Sequence, residues 1–383
     1  MNKQNLNEAI REIANLSQKG ASSSEISEKI GRRGFSEKEI SELSDIASAR
    51  KRGKEKFSEP EKMFMGLSDI RFATPEIVAE YRAERLKCDV IADLCCGTGM
   101  QAISFARKCR KVYAIDIDER KIGYARRNAE VFGIKNITFL AADALSKEAE
   151  EAISDAKIIF CDPERAPEEK ERNIEDIKII SEIIRKYSKI TKDLAFEIPP
   201  QITPDRVKFN CELEYLSLNG KLNRLNIYFG NLRKNERSAI LLPEKKAISS
   251  TGKDFKITKS GNAKKYIYEI NPAVSKAGFA PELASEFGLF AYFSSKKLHL
   301  LTSDKEAESP FMKRYEVFKE LSDEESGIIP ALKAINASEV ILRGSIDPKE
   351  YWRIRKGFER ELNSGGKKVQ LFVLDEKCII ASA

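Results

Sequence analysis

The sequence predicts an α/β protein. Its core is a mostly parallel sheet covered by helices on both faces and closed at one edge by an antiparallel hairpin. Helices precede this core and a smaller α+β domain follows it. Three observations predict this. Short apolar runs alternate with helical stretches from Asp89 to Phe196, the pattern of parallel strands buried on both faces. Asn219-Gly220 separates two strand-like runs, a strong hairpin signal. The chain has 383 residues, 42% hydrophobic and 33% charged, a globular balance long enough for two or three domains.

Residues 1–62 read as a helical N-terminal extension. Ser22 precedes Glu25, and Ser36 precedes Glu39, at the spacing of a capping box. Apolar positions are sparse there, so this part is expected to pack weakly alone. Arg50 to Lys56 is a basic stretch, read as a linker that is either a solvated hinge or a phosphate contact.

Residues 63–248 read as the central α/β domain. Val90 to Leu94 is the first strand, followed by a glycine-bearing turn and a helix from Met100 to Arg107. Lys111 to Ile115 is the second strand, and a helix from Glu119 to Phe132 closes at Gly133. Ile137 to Leu140, Lys157 to Phe160 and Asp193 to Phe196 are the next strands, with a helix from about Ile174 to Lys189 before the last. The hairpin runs from Glu212 to Leu218 and from Leu222 to Phe229. Ser249 to Asn262 is rich in Ser, Gly, Lys and Thr and reads as a boundary. Residues 263–383 form the accessory α+β domain. Its clearest helix runs from Asp347 as N-cap, with Pro348 in the first turn, to Leu362. Tyr351, Ile354, Phe358 and Leu362 fall on one face of it, and Lys349, Arg353, Lys356 and Arg360 on the other. That second face is either solvated or tracks a phosphate backbone.

Composition excludes several function classes. There is one histidine, His299, which removes most zinc sites, His-based triads and His pairs. It sits in an apolar run and reads as structural. The seven cysteines are irregularly spaced, which argues against a disulfide framework and for a reducing, cytoplasmic setting. No apolar run is long enough to span a bilayer, and the polar start is no secretory signal. No metal and no membrane is expected. The net charge of +7 is spread as +2, +2 and +3 over residues 1–62, 63–249 and 250–383. No segment is a polycationic arm, and nucleic-acid binding is permitted rather than demanded.

The chemistry concentrates at the strand ends. Gly97-Thr98-Gly99-Met100-Gln101-Ala102 fits the dinucleotide fingerprint. Asp116 ends the second strand, where a carboxylate accepts from two ribose hydroxyls. These two features alone suit NAD as well as an adenosyl compound. Asp93, just before the glycines, pairs with a ligand ammonium and repels a pyrophosphate. Asp143, after the third strand, is placed to accept from an adenine amino group. Asp162-Pro163-Glu164-Arg165 follows the fourth strand, facing where a methyl group would leave. An amino-acid head, a ribose and an adenine together describe S-adenosylmethionine.

The stretch from Asp93 to Arg165 resembles the class I S-adenosylmethionine-dependent methyltransferases, which have a Rossmann-like fold. Thr74-Pro75-Glu76, Asn128 to Gly133 and Ile115-Asp116-Ile117-Asp118 resemble the RNA-cap guanine-N2, trimethylguanosine synthase-like branch. The segment from about Tyr268 is similar to the THUMP-like domain fused to such enzymes. It matches in Asn271-Pro272-Ala273-Val274, Leu300 to Ser303, Ser309-Pro310-Phe311 and Arg343-Gly344. The resemblance implies that Thr74, Asp93, Cys95, Gly97, Gly99, Asp116, Ile117, Asp143 and Ala144 bind the cofactor. It also implies a tRNA or rRNA base as substrate, with the C-terminal domain binding RNA. The cap enzymes carry Ser-Pro-Pro-Trp after the fourth strand, whereas Glu164 and Arg165 stand here in place of the second proline and the aromatic.

Methyl transfer needs proximity and orientation above all. Asp162 is the expected acceptor that orients the nucleophile, Glu164 a second carboxylate, and Arg165 a holder of a phosphate or base edge. Glu197, in Phe196-Glu197-Ile198, is a further pocket candidate, with a strand-end cap as the alternative. Cys161 ends a buried strand and is not read as a covalent nucleophile. Two other classes stay open: a methyltransferase of protein or small molecules, and a non-catalytic cofactor-binding RNA protein.

Overall fold

The computed structural model describes residues 3–163, 176–296, 298–322, 325–344 and 346–382. Helices α1 (Lys3–Gln18), α2 (Ser23–Gly31), α3 (Glu37–Gly53), α4 (Leu67–Phe72) and α5 (Glu76–Arg85) open the chain. An alternating series follows: β1 (Val90–Leu94), α6 (Met100–Ala106), β2 (Lys111–Asp116), α7 (Glu119–Val131), β3 (Ile137–Ala141), α8 (Lys147–Ala152), β4 (Ile158–Cys161), α9 (Asp176–Tyr187) and β5 (Leu194–Ile198). Then come β6 (Glu212–Leu218), β7 (Lys221–Tyr228), β8 (Arg237–Leu242) and β9 (Lys246–Ser249). The C-terminal part holds β10 (Tyr266–Ile270), α10 (Pro272–Lys276), α11 (Ala280–Phe287), β11 (Phe290–Ser294), β12 (His299–Ser303), β13 (Met312–Ser322), α12 (Glu325–Ala334), β14 (Ala337–Gly344), α13 (Tyr351–Arg360), β15 (Lys367–Val373) and β16 (Lys377–Ser382).

Compactness divides the chain into two units. One comprises Met1–Pro199, Phe209–Glu212 and Asn226–Lys234; the other comprises Pro200–Lys208, Leu213–Leu225 and Asn235–Ala383.

In the first unit the strands lie in the order β3-β2-β1-β4-β5, all parallel. The order reverses between β1 and β4, so their carboxyl ends flank a crevice, the usual ligand position in such sheets. The strands are apolar because helices cover both faces. Ile91, Phe105, Val112, Ala114, Ile158 and Phe160 form one buried cluster, with Phe105 edge-on to Phe160 at 5.5 Å. The N-terminal helices share in this unit: Ile10, Ile13, Ile30, Phe35, Leu43 and Ile46 pack with Phe64 and with Tyr124 of α7. Their sparse apolar positions suffice because the central domain completes the core. Both capping boxes form, at Ser22–Glu25 and Ser36–Glu39.

The basic stretch is not a linker. Helix α3 runs through it to Gly53. Arg50 is buried, donating from Nε to the Met63 carbonyl at 2.9 Å and from Nη2 to Asn7 at 2.8 Å. The Lys56 ammonium donates to the carbonyls of Ile70, Arg71 and Ala73 at 2.8, 3.0 and 2.9 Å, closing the end of α4. Two of the cations are therefore spent on backbone carbonyls.

In the second unit, Asn219 (φ 51°) and Gly220 (φ 73°) make the hairpin turn between β6 and β7. β6 also pairs in parallel with β8, and β8 antiparallel with β9. A separate sheet runs β11-β12-β10-β13-β16-β15-β14, with β14 and β15 parallel. Tyr351, Ile354, Phe358 and Leu362 pack against a core of Leu332, Val340, Leu371 and Ile380, as the helical periodicity predicts. His299 begins β12 with its Nδ1 against the Ser275 hydroxyl.

Candidate active site

The site is built where β1 and β4 part. Asp93 sits in β1 opposite Ala114 of β2 and Phe160 of β4, and it is 1% exposed. Among the described residues its Oδ2 has no hydrogen-bond partner. Burial pushes its pKa well above the carboxylate range, and the nearby Asp162 adds to this while Arg82 opposes it. Leaving a buried acceptor unpaired costs about 1–3 kcal/mol or more. A ligand ammonium at this oxygen removes that penalty.

The loop after β1 turns through left-handed backbone at Cys95 (φ 63°), Gly97 (φ 56°) and Gly99 (φ 82°). The two glycines serve different ends. A Cβ at Gly99 would stand 2.8 Å from the Cβ of Ala125 in α7, so close helix packing demands glycine there. A Cβ at Gly97 would meet nothing within 4 Å, so this stretch of backbone is open to a ligand. Asn128 of α7 holds the loop from behind. Its Nδ2 donates to the Thr98 and Phe64 carbonyls, both at 2.9 Å, and its Oδ1 accepts from the Phe64 amide at 2.7 Å.

Asp116 ends β2 and is 8% exposed. Its Oδ2 accepts from the Gly97 amide at 2.8 Å and its Oδ1 from the Asp118 amide at 2.9 Å. These bonds fix the carboxylate, and each oxygen retains a second lone pair. The next residue, Ile117, is 73% exposed. An aliphatic side chain in solvent beside a fixed acceptor pair suits a nucleoside, with its ribose at the acid and its base on the alkyl surface. Asp143 is exposed beyond β3, with Oδ1 taking the Leu145 amide at 2.7 Å. The Ala144 carbonyl accepts from the Tyr187 hydroxyl. Thr74 is buried just ahead of α5. An amino-acid head, ribose and adenine thus fit the residues present.

Asp162, half-buried after β4, donates its amide to the Leu94 carbonyl at 3.4 Å. Behind it lies a buried ionic network. Arg82 of α5 is fully buried and ion-paired with Glu197 of β5. It also donates to Gln101 at 2.8 Å and Asn226 at 2.9 Å, and its guanidinium lies 4.6 Å from the Phe160 ring centroid. Burial works against the Arg82 charge, but Glu197 and Asp162 outweigh it and its pKa is raised. Glu197 is therefore engaged by an arginine rather than held free for a substrate. Arg82 was not foreseen, although the signal was present: it shares a helix face with buried Val78, Ala79 and Ala83, an arginine on an apolar stripe. The Cys161 sulfur lies 3.9 Å from that of Cys95. That contact and burial push the Cys161 thiol well above its ordinary range.

The structure thus brings Asp93, Cys95, Gly97, Gly99 and Asp116 together around the switch point. Glu164 and Arg165 lie outside the described residues. Lys349, Arg353, Lys356 and Arg360 are all exposed along α13 and the turn before it, and Arg353 is ion-paired with Glu350. Among the described residues no helix is long and apolar enough to cross a membrane. No His, Cys, Asp and Glu cluster among them suits a metal ion.

Residues 88–206 match the family model for RNA cap guanine-N2 methyltransferases. An uncharacterised S-adenosylmethionine-dependent methyltransferase of Mycobacterium tuberculosis is 23% identical over 296 residues, 73% of this chain and 77% of that protein. An uncharacterised RNA methyltransferase of Chlorobaculum tepidum is 37% identical over 82 residues, 20% of this chain and 17% of that protein. The crystal structure of a candidate methyltransferase from Porphyromonas gingivalis W83 superposes with a TM-score of 0.76 at 15% identity, covering 100% of this chain and 98% of that one. That likeness is one of fold.

Proposed function

We propose that this S-adenosylmethionine-dependent methyltransferase acts on a base of RNA, tRNA or rRNA, in the cytoplasm. The observation that carries the reading is the buried, unpartnered oxygen of Asp93 beside the open backbone of Gly97, with Asp162 across the switch point. The RNA part rests on the cap-methyltransferase match over residues 88–206 and on the cations of α13. In this reading the chain belongs to the trimethylguanosine synthase-like branch. Residues 63–248 carry the transfer, residues 1–62 support it, and residues 263–383 form a THUMP-like domain that holds RNA.

The bound cofactor supplies a sulfonium methyl for in-line displacement. Asp93 holds the ammonium, and Asp116 accepts from the ribose hydroxyls. Asp143 takes the adenine amino group, Ile117 lies along the base, and Thr74, Cys95 and Ala144 line the remainder. Asp162 accepts a hydrogen bond from the substrate nucleophile and aims its lone pair at the methyl group. Glu164 assists as a second carboxylate and Arg165 contacts a phosphate or base edge. The catalytic work is orientation, not covalent chemistry with the protein.

Incubating the chain with tritium-labelled S-adenosylmethionine and either total RNA or total protein tests this. Label incorporated into RNA supports it. Label confined to protein or to small molecules overturns the substrate, and binding of the cofactor with no transfer to any fraction overturns the activity.

A further inference from the structure

Trp352 is the only tryptophan of the chain, and it is 61% exposed at the second position of α13. Core packing does not account for it. The apolar face of this helix is already supplied by Tyr351, Ile354 and Phe358, which pack against the sheet. The indole is nonetheless held. The Tyr351 ring meets it edge-on at 5.4 Å and 84°. The Arg355 guanidinium lies 5.3 Å from its centroid and is itself fixed by Glu359 and Glu339, each at 2.9 Å. An exposed aromatic ring in a set orientation loses little freedom when a second flat ring stacks on it.

Its charged surroundings select the partner. At 100° per residue Trp352 stands about 40° from Lys356 around the helix axis, and Lys349 lies three residues ahead of it in the turn before α13. The carboxylates of this helix are engaged: Glu350 with Arg353, Glu359 with Arg355, and Glu361 with Lys333. Among the described residues Lys349, Lys356 and Arg360 make no ion pair. An exposed aromatic beside unneutralised cations is the pairing that single-stranded nucleic acid uses, with a base on the ring and phosphates on the cations. A duplex keeps its bases stacked internally and has no use for the ring.

We infer that Trp352 is a stacking platform for an unpaired RNA base, whose flanking phosphates meet Lys349, Lys356 and Arg360. This deepens the RNA reading above and rests on it. Two independent signals test it on the full-length chain: fluorescence anisotropy of a labelled single-stranded RNA of about twelve nucleotides, and indole emission with the same RNA unlabelled. The single tryptophan makes the second signal specific to this site. The expected result is a change in indole emission with the same midpoint as the anisotropy. Trp352→Ala should weaken binding about ten- to a hundredfold, and Trp352→Phe should stay within about fivefold of wild type. RNA binding with unchanged emission and full affinity in Trp352→Ala would overturn the platform and leave the RNA reading standing. No anisotropy change at low salt would overturn both. An emission change produced equally by duplex RNA or by polyglutamate would also overturn the platform, since neither offers an unpaired base.

Discussion

The surroundings of Asp93 disfavour its ionised form. The unfolded chain releases this proton near pH 3.9. In the folded protein burial raises the pKa, with Asp162 and Asp116 adding to it and Arg82 opposing. Between those two values the native state holds the extra proton, so the contribution of this group to stability falls as pH rises through the window. Asp93→Asn should therefore raise the melting temperature of the ligand-free protein at neutral pH, read by calorimetry. The same change should weaken S-adenosylmethionine by about ten- to a hundredfold, the worth of a charged hydrogen bond. Cofactor binding to wild type should release a proton, so its heat should vary with the ionisation enthalpy of the buffer, and in the variant this dependence should vanish. Asp162 answers to a different assay. Asp162→Ala should leave cofactor affinity within about threefold and lower the single-turnover rate constant by about a hundredfold. Equal single-turnover rates for the two proteins would assign the orienting role elsewhere. The acids around the glycine loop were legible from sequence because each lies at or next to the carboxyl end of a strand, and strand ends are readable from apolar runs. Their hydrogen bonds were not, since the Asp116 bonds to Gly97 and Asp118 depend on how the loop bends back.

Helix α5 shows what periodicity discloses and what it conceals. Its buried face carries Val78, Ala79 and Ala83, and also Arg82. The arginine is stable there because Glu197, Gln101 and Asn226 meet it from β5, α6 and β7. These partners are remote in the chain, so sequence pattern alone offers Glu197 only as a pocket acid or a strand-end cap. Removing one partner strands the other: Arg82→Met should cost about 3–5 kcal/mol in urea unfolding. Arg82→Met combined with Glu197→Leu should recover at least half of that loss, because a matched apolar pair replaces two buried charges. A double variant no more stable than the single would mean that Arg82 acts mainly through Gln101 and Asn226. The basic stretch from Arg50 to Lys56 misled for a related reason. Its charge pattern resembles a solvated hinge, and only the folded chain brings the carbonyls of Met63, Ile70, Arg71 and Ala73 to these cations.

For the molecule as a whole, the alternation of strands and helices conveyed that β1 to β5 run parallel, because strands buried on both faces are apolar and parallel crossovers are usually helical. It did not convey the parallel pairing of β6 with β8, two strands separated in the chain by β7, whose partnership no local turn signal reports. RNA binding belongs to this scale too, since it sums contacts over a surface. Replacing Lys349, Arg353, Lys356 and Arg360 together with Gln should weaken RNA binding without sequence bias. It should flatten the slope of log affinity against log salt by about two units, at roughly 0.7 for each phosphate contact and with Arg353 discounted for its pairing with Glu350. Cofactor affinity and melting temperature should stay near wild type, because these side chains are exposed. A salt titration that superposes on wild type would make this an ordinary solvated face.

Asn128 touches both the glycine loop, through Thr98, and the segment following the N-terminal helices, through Phe64. One amide group thereby puts two distant stretches of chain under a common thermodynamic constraint. Whatever steadies the loop must steady Phe64 by the same free energy, and whatever strains Phe64 must loosen the loop, since coupling is reciprocal. S-adenosylmethionine should accordingly slow hydrogen exchange at the Phe64 amide. In Asn128→Ala that slowing should disappear even where the loop itself is still protected. The helices ahead of the catalytic core would then be a handle on cofactor affinity, open to any molecule that grips them.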